Sequence, residues 1–282
     1  MTDSTDDMPK SPPIPHLPGE AALDRYEIRT ARGELIDPVH GIFPIVRYDR
    51  DGYLYLLGTG FFISTNGLFA TARHVLMDTF DSKGRERYPI GIVQFLPDHT
   101  FIKRPILRCA SHSVADVAVG VAAPMNDPNG KPITNPAVGI TPMHPGMGSR
   151  VVTFAHPKNS NSIVGDVQRF EVRPAFYDGD IIDYFPHGRD RVMLPAPCYQ
   201  TSIVMHGGAS GGPVFSREGG VFGLNSSGID GTDISFVSRI NEIFDLVIDD
   251  VQLGTDLPRS VSVLEIARAG HIVVRPCASP SL

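Results

Sequence analysis

At 282 residues the chain is long enough for one large domain or two small ones; 41% hydrophobic residues, 28 Gly, 25 Pro and no long helical period favour an all-β body of short strands and many turns. The net charge of −6, of which residues 1–24 hold −4 (Asp3, Asp6, Asp7, Glu20 and Asp24 against Lys10), excludes a basic nucleic-acid footprint. No apolar run approaches the roughly 20 residues of a membrane span, and the acidic N-terminus is unlike a secretory signal, so a cytoplasmic protein with no membrane partner is expected.

Residues 1–24, with prolines from Pro9 to Pro18 and few apolar side chains, read as a disordered acidic arm. Tyr26 to Leu35 fits either a helix or an edge strand. From Ile42 the alternation is clear: Ile42 to Tyr48, an Asp49-Arg50-Asp51-Gly52 turn, then Tyr53 to Leu57. Apolar runs on either side of Asn66-Gly67 lead to His74; Ile90 to Leu96 and Ile102 to Cys109 lead to a strand that opens at Asp116. This gives about six strands over residues 25–123. The proline-rich stretch 124–147, with few periodic positions, reads as a linker between two units.

The second unit, 148–252, is expected to use Gly148 to Pro157, Ile163 to Val172, Arg191 to Leu194, Tyr199 to Val204, Val221 to Ser226 and Ile234 to Val237 as strands, with His156 a loop residue. Ile240, Ile243, Phe244, Val247 and Ile248 fall at helical spacing and predict a closing helix. In the extension 253–282, Ser262-Val263-Leu264-Glu265 is a capping-box pattern and Gly270 a stop, which predicts a helix from Val263 to Ala269. His271 to Val274 offers a further strand. Cys109, Cys198 and Cys277 form no C-x-x-C pattern, and the ten histidines form no ligand spacing such as H-E-x-x-H, so neither a disulfide framework nor a metal site or cofactor is expected.

The segment with most chemistry is Met205-His206-Gly207-Gly208-Ala209-Ser210-Gly211-Gly212-Pro213. Its glycines permit a sharp turn that exposes the Ser210 hydroxyl and aims the N–H groups of Gly208 and Ser210 at one oxygen; taken alone it also fits a plain glycine-rich hairpin. A serine nucleophile needs a base and a group to orient that base, and His74 and Asp116 are candidates for the two roles. Thr71-Ala72-Arg73-His74, Asp116-Val117-Ala118-Val119 and Gly208-Ala209-Ser210-Gly211-Gly212-Pro213, in that order, resemble the T-A-x-H, D-[IVL]-A-[VL] and G-x-S-G-G-P motifs of trypsin-like (chymotrypsin-fold) serine peptidases, in the bacterial, disulfide-free form.

The resemblance covers roughly residues 40–250. It implies two six-stranded antiparallel β-barrels with a C-terminal helix, and a His74, Asp116, Ser210 triad in the cleft between them. It also implies an oxyanion hole from Gly208 and Ser210, and pairing of the substrate backbone along Ser226, Ser227 and Gly228. The implied activity is serine endopeptidase action on an extended protein or peptide substrate, as a selective processing or signalling protease with an activating or scaffold partner. The alternative is an inactive or weak trypsin-fold module that binds a protein. Ala209 stands where secreted digestive relatives carry the Asp that pairs with a freed N-terminus, so activity without N-terminal processing is expected. By the same resemblance Val204 lies at the base of the pocket for the side chain before the cleaved bond, with Met205 as lining and Ser226 and Gly228 as walls, which implies a small or medium apolar side chain. Asp233 is the competing determinant and would favour a basic one.

Overall fold

The computed structural model describes residues 17–23, 25–77, 79, 88–127, 129–253 and 257–275. Residues 1–16 of the expected arm therefore lie outside the described residues. The part from Leu17 onward is docked: β1 (Glu20–Ala21) pairs antiparallel with a strand of the second barrel, Glu20 opposite Tyr177 and Ala21 opposite Phe176. The stretch open to helix or edge strand is a hairpin of β2 (Ile28–Arg29) and β3 (Leu35–Ile36). One helical turn follows, α1 (Pro38–Gly41); the Asp37 carboxylate accepts the Val39 N–H at 3.1 Å, and Pro38 stands where an N–H would have no helical partner.

Six strands close the first barrel. They are β4 (Ile42–Tyr48), β5 (Leu54–Phe62), β6 (Leu68–Thr71), β7 (Ile90–Phe95), β8 (Phe101–Ser111) and β9 (Ala118–Ala122), in the ring order β4-β5-β6-β9-β8-β7. The expected Asp49 turn forms because the Asp49 carboxylate accepts the N–H groups of Asp51 and Tyr53. Between β6 and β7 lies a five-residue helix, α2 (Arg73–Met77). Arg104 of β8 is buried with no carboxylate beside it among the described residues: it donates hydrogen bonds to Gln94 Oε1 and Asn135 Oδ1, each at 2.5 Å, and to the Ala123 carbonyl at 2.9 Å. Burial pushes its guanidinium down to about 10.

The second barrel consists of β10 (Arg150–Val164), β11 (Val167–Phe185), β12 (Cys198–Thr201), β13 (Pro213–Phe215), β14 (Val221–Gly228) and β15 (Ser235–Arg239). Its order is β10-β13-β14-β15-β12-β11, closed by β11 on β10, with β1 added outside β11. Three expectations need correction here. Ile163 to Val172 is not one strand but a hairpin: Ile163 and Val164 end β10, Gly165 and Asp166 form the turn, and Val167 to Val172 open β11. Arg191 to Leu194 is no strand: the Asp190 carboxylate accepts the N–H groups of Val192, Met193 and Leu194 and curls the chain outward, leaving Val192 and Met193 exposed. His156 is no loop residue but a fully buried member of β10.

The closing helix also differs. Ile240–Asp245 is a single stretch of 3-10 helix, after which the β-branched residues of β16 (Val247–Val251) pair with β17 (Arg259–Ser262). The α-helix comes later, as the capping box predicts: α3 (Val263–Arg268) starts where Ser262 Oγ accepts the Glu265 N–H and Glu265 Oε2 accepts the Ser262 N–H. Val263, Ile266 and Ile272 join the same buried cluster as Phe43, Phe62 and Phe69 of barrel one and Phe154, Phe176 and Leu224 of barrel two. The two barrels and the C-terminal segment thus share one apolar core. A separate cluster with Val151, Tyr177, Tyr199, Val214 and Phe222 fills barrel two.

Candidate active site

His74 sits on α2, at the mouth of barrel one. The neighbouring Val75 and Leu76 are buried and fix the helix, so the imidazole is left half-exposed toward the cleft. Asp116 lies in the turn just before β9. The turn holds its shape because His112 Nδ1 accepts the N–H groups of Val114 and Ala115, at 3.1 and 2.8 Å. Its carboxylate meets His74 Nδ1 at 2.9 and 3.0 Å and accepts the His74 backbone N–H at 3.0 Å.

A further hydrogen bond reaches Asp116 from the other barrel, where Ser226 Oγ donates to Oδ2 at 2.5 Å. The source of this reach is local. Asn225 pairs with Val237 and Ser227 with Phe236, so Ser226 is the extra residue of a β-bulge in β14, and a bulge re-aims a side chain. Burial pushes the Asp116 carboxyl up, but the bonds and charge of His74 with the Ser226 hydroxyl outweigh this and hold it below the usual carboxylate value. An acceptor carboxylate at Nδ1 puts the ring proton there and leaves the Nε2 lone pair for a second partner.

Ser210 belongs to the turn between β12 and β13. Its hydroxyl donates to the Ser226 carbonyl at 3.4 Å, a long bond, so Ser226 touches Asp116 with its side chain and Ser210 with its backbone. The turn is held by Ala209 N–H to His206 O, Gly212 N–H to Ala209 O and Gly211 N–H to Asn225 O. Among the described residues, neither the Gly208 nor the Ser210 N–H donates to a protein acceptor. Two of the four glycines are required by geometry. Gly208 has φ +94, and a Cβ there would lie 2.7 Å from the His156 carbonyl; Gly211 has φ +83, and a Cβ would lie 2.1 Å from Thr71 Oγ1 and 2.3 Å from the Thr59 carbonyl.

The sequence reading missed Thr59 of barrel one. Its N–H donates to the Ser210 carbonyl at 2.8 Å and its hydroxyl to the Gly208 carbonyl at 2.9 Å, while its Oγ1 accepts the His156 N–H at 3.0 Å. It pins the serine turn of one barrel to β5 of the other. Its signal in the sequence is a lone threonine between Gly58 and Gly60, which has no meaning until the partner is known. Asn225 was missed too; its Nδ2 donates to Thr153 Oγ1 and the Ala209 carbonyl.

The residues named for substrate contact lie around the end of β14. Ser226 is buried, Ser227 half-buried and Gly228 exposed, with Met205 beside Gly228. Val204 packs against Gly19 of the N-terminal segment. Asp233 is exposed in the loop joining β14 to β15.

His112, Glu242 and Asp245 come within reach of one cation, but the residues do not fit one. The His112 Nδ1 lone pair is taken by two backbone N–H groups, which puts the ring proton on Nε2, and Arg239 already bonds Glu242. Neither Cys109 nor Cys198 is in a disulfide. Among the described residues no helix is long and apolar enough to cross a membrane.

Two closed six-stranded barrels, with a histidine and a carboxylate on one and a glycine-flanked serine on the other, define a chymotrypsin-like fold. The family model of the trypsin-like peptidase domain matches residues 58–224, which is 167 of 282 residues (224 − 58 + 1), and the chain belongs to that family. Among solved structures it is similar to an inactive form of Rv3671c from M. tuberculosis H37Rv carrying a serine-to-alanine mutation. That match has 19% identity and a TM-score of 0.46 over 73% of this chain and 83% of that one. It is also similar to Deg5, with 18% identity and a TM-score of 0.48 over 72% of this chain and 85% of that one. Comparison with curated proteins finds no match.

Proposed function

We propose that this chain is a serine endopeptidase that hydrolyses peptide bonds through an acyl-enzyme, with Ser210 as nucleophile, His74 as general base and acid, and Asp116 as the group that holds the imidazole. The observation that carries this reading is the Asp116 carboxylate at 2.9 and 3.0 Å from His74 Nδ1, across the cleft from the serine turn. That contact leaves Nε2 to take the Ser210 proton as Oγ attacks the scissile carbonyl, and Asp116 stabilises the imidazolium that forms. The oxyanion is received by the N–H groups of Gly208 and Ser210, which have no protein acceptor among the described residues. Imidazolium then protonates the departing amine, and water attacks the acyl group by the same route in reverse. For the first step the Ser210 hydroxyl exchanges its 3.4 Å bond to the Ser226 carbonyl for one to His74.

In this reading an extended peptide pairs along Ser226, Ser227 and Gly228, and the side chain before the cleaved bond meets Val204 and Met205, which offer no charge. Ala209 supplies no carboxylate for a freed N-terminus, so the chain works without N-terminal processing. Its role is selective processing or signalling inside the cell, a reading with which Cys109 and Cys198, neither in a disulfide among the described residues, agree.

A fluorophosphonate probe is expected to modify Ser210 in the full chain. Ser210→Ala should lose the adduct and lower turnover by about 10⁴- to 10⁶-fold while unfolding as the parent does. Peptide cleavage by the Ser210→Ala protein at the parent rate would end this assignment.

A further inference from the structure

Asparagine is disfavoured in the middle of a central strand, because its amide competes with the ladder and adds little to apolar packing. Asn225 stands in β14, between β13 and β15, and is fully buried. Its hydrogen bonds account for the residue type. The Thr153 hydroxyl gives its proton to the Pro213 carbonyl at 2.8 Å and the Ala209 carbonyl can only accept, so the amide turns Nδ2 toward both, at 2.8 and 3.2 Å. The backbone of the same residue donates to the Gly212 carbonyl at 2.9 Å and accepts the Gly211 N–H at 2.7 Å. Asn225 thus holds the turn that carries Ser210 at three points, Ala209, Gly211 and Gly212, from its buried side.

The bond to the Ala209 carbonyl has a consequence for the donor beside it. Ala209 C=O and Ser210 N–H belong to one planar, trans peptide unit, so the two point in opposite directions. A carbonyl drawn inward by the Asn225 amide, and by the Gly212 N–H at 3.0 Å, sends the Ser210 N–H the other way, to a face where no protein acceptor among the described residues meets it. The Gly212 bond closes only the turn itself, whereas the Asn225 side chain ties this peptide plane to the frame of barrel two. We infer that Asn225 is a positioning residue, which aims the Ser210 N–H at the developing oxyanion by holding the Ala209 carbonyl, and that Thr153 holds Asn225 in turn. The inference rests on the serine-peptidase reading. Being buried, Asn225 touches no substrate, so its effect falls on the charged transition state and not on binding.

The test uses the full chain and a set of short peptidyl trifluoromethyl ketones with small, aliphatic or basic side chains, of which the one the parent binds most tightly is kept. Ser210 Oγ adds to the ketone carbon and leaves the hemiketal oxygen in the oxyanion hole, where fluorine NMR follows its ionisation against pH. Asn225→Leu, similar in size and without donors, should raise the hemiketal pKa by about one unit or more. It should also lower kcat on a peptide amide about 10- to 100-fold, with KM changed less than about twofold. Thr153→Val should move both readouts the same way by less, and Thr153→Ser, which keeps the hydroxyl, should bring them back toward the parent; where Asn225→Leu does not fold, this pair decides alone. An asparagine that serves stability only would lower the melting temperature and leave the hemiketal pKa where it was. That result in the folded variants overturns the inference, while a fluorophosphonate adduct at Ser210 leaves the peptidase reading standing. A parent that takes the fluorophosphonate but ionises no hemiketal overturns the inference as well. Absence of an adduct with every probe removes both readings together.

Discussion

At the scale of single residues, Ser226 and His156 do work that their sequence contexts hide. The Ser226 hydroxyl is one of the donors that hold Asp116 ionised against burial. Hydrogen bonds to a charged group contribute about 1.5–3 kcal/mol, so Ser226→Ala is expected to lower kcat about 10- to 100-fold. Its acid limb should move to higher pH, because the Asp116 carboxyl rises when a donor is lost. Ser226→Thr, which keeps the hydroxyl, should recover most of the rate; a pH–rate profile of the three proteins decides. His156 titrates far below its usual range. Burial pushes it down to about 4 from 6.5, although its bond to the Ile42 carbonyl opposes the shift. The folded-state value is the depressed one, so below about pH 6.5 the unfolded chain binds a proton that the folded chain refuses. Stability from this group is complete above pH 6.5 and falls by about 3 kcal/mol as the pH drops to 4. Urea unfolding between pH 7 and 4 should show that slope, and His156→Phe should flatten it.

At the scale of elements, β5 carries the docking of the serine turn. Thr59 bonds two of its carbonyls, and Gly211 lets the turn approach so closely that any side chain would strike Thr71 and Thr59. Gly211→Ala combines a left-handed backbone at φ +83 with a methyl 2.1 Å from Thr71 Oγ1. We expect it to cost about 3 kcal/mol or more, and to abolish fluorophosphonate labelling of Ser210 even where the protein remains folded. A thermal scan and a labelling time course on the same sample test both parts. Labelling at the parent rate would show that the turn accommodates a methyl group at position 211 without losing its shape.

At the scale of the whole molecule, the C-terminal segment is part of the body. Val263, Ile266 and Ile272 lie in the core shared by the two barrels, and the Arg275 N–H and the Val273 carbonyl bond Ile140 in the connection between them. Removal of residues 257–282 takes away four buried aliphatic side chains, Val261, Val263, Ile266 and Ile272, and uncovers the core they pack against; at about 1.5–3 kcal/mol each, this is most of the stability of an ordinary domain. The shortened chain should lose its cooperative thermal transition or melt far below the parent in calorimetry; an unchanged melting temperature would make the segment dispensable.

Much of this was legible in the amino-acid order because it depends on local rules. Alternating apolar residues from Ile42, the Asp49 turn and the Ser262–Glu265 capping box each act over a few neighbouring residues, and each is in place. The motifs around His74, Asp116 and Ser210 also announced themselves, as residue types whose spacing matches a known family. The helical spacing from Ile240 to Ile248 misled, because the same apolar positions serve a 3-10 turn and a strand once β17 offers a partner. Sequence alone determined the strands of barrel one, several of those of barrel two, the Asp49 turn, the order of the two barrels and the candidate triad. Only the tertiary structure decided that Ser226 reaches Asp116 across the cleft, that Thr59 fastens the serine turn, that His156 is buried, and that Gly19 of the N-terminal segment packs on Val204. Each of these joins residues remote along the chain, by 110 between Ser226 and Asp116 and 149 between Thr59 and Gly208, and no local pattern records which distant backbone a side chain will meet.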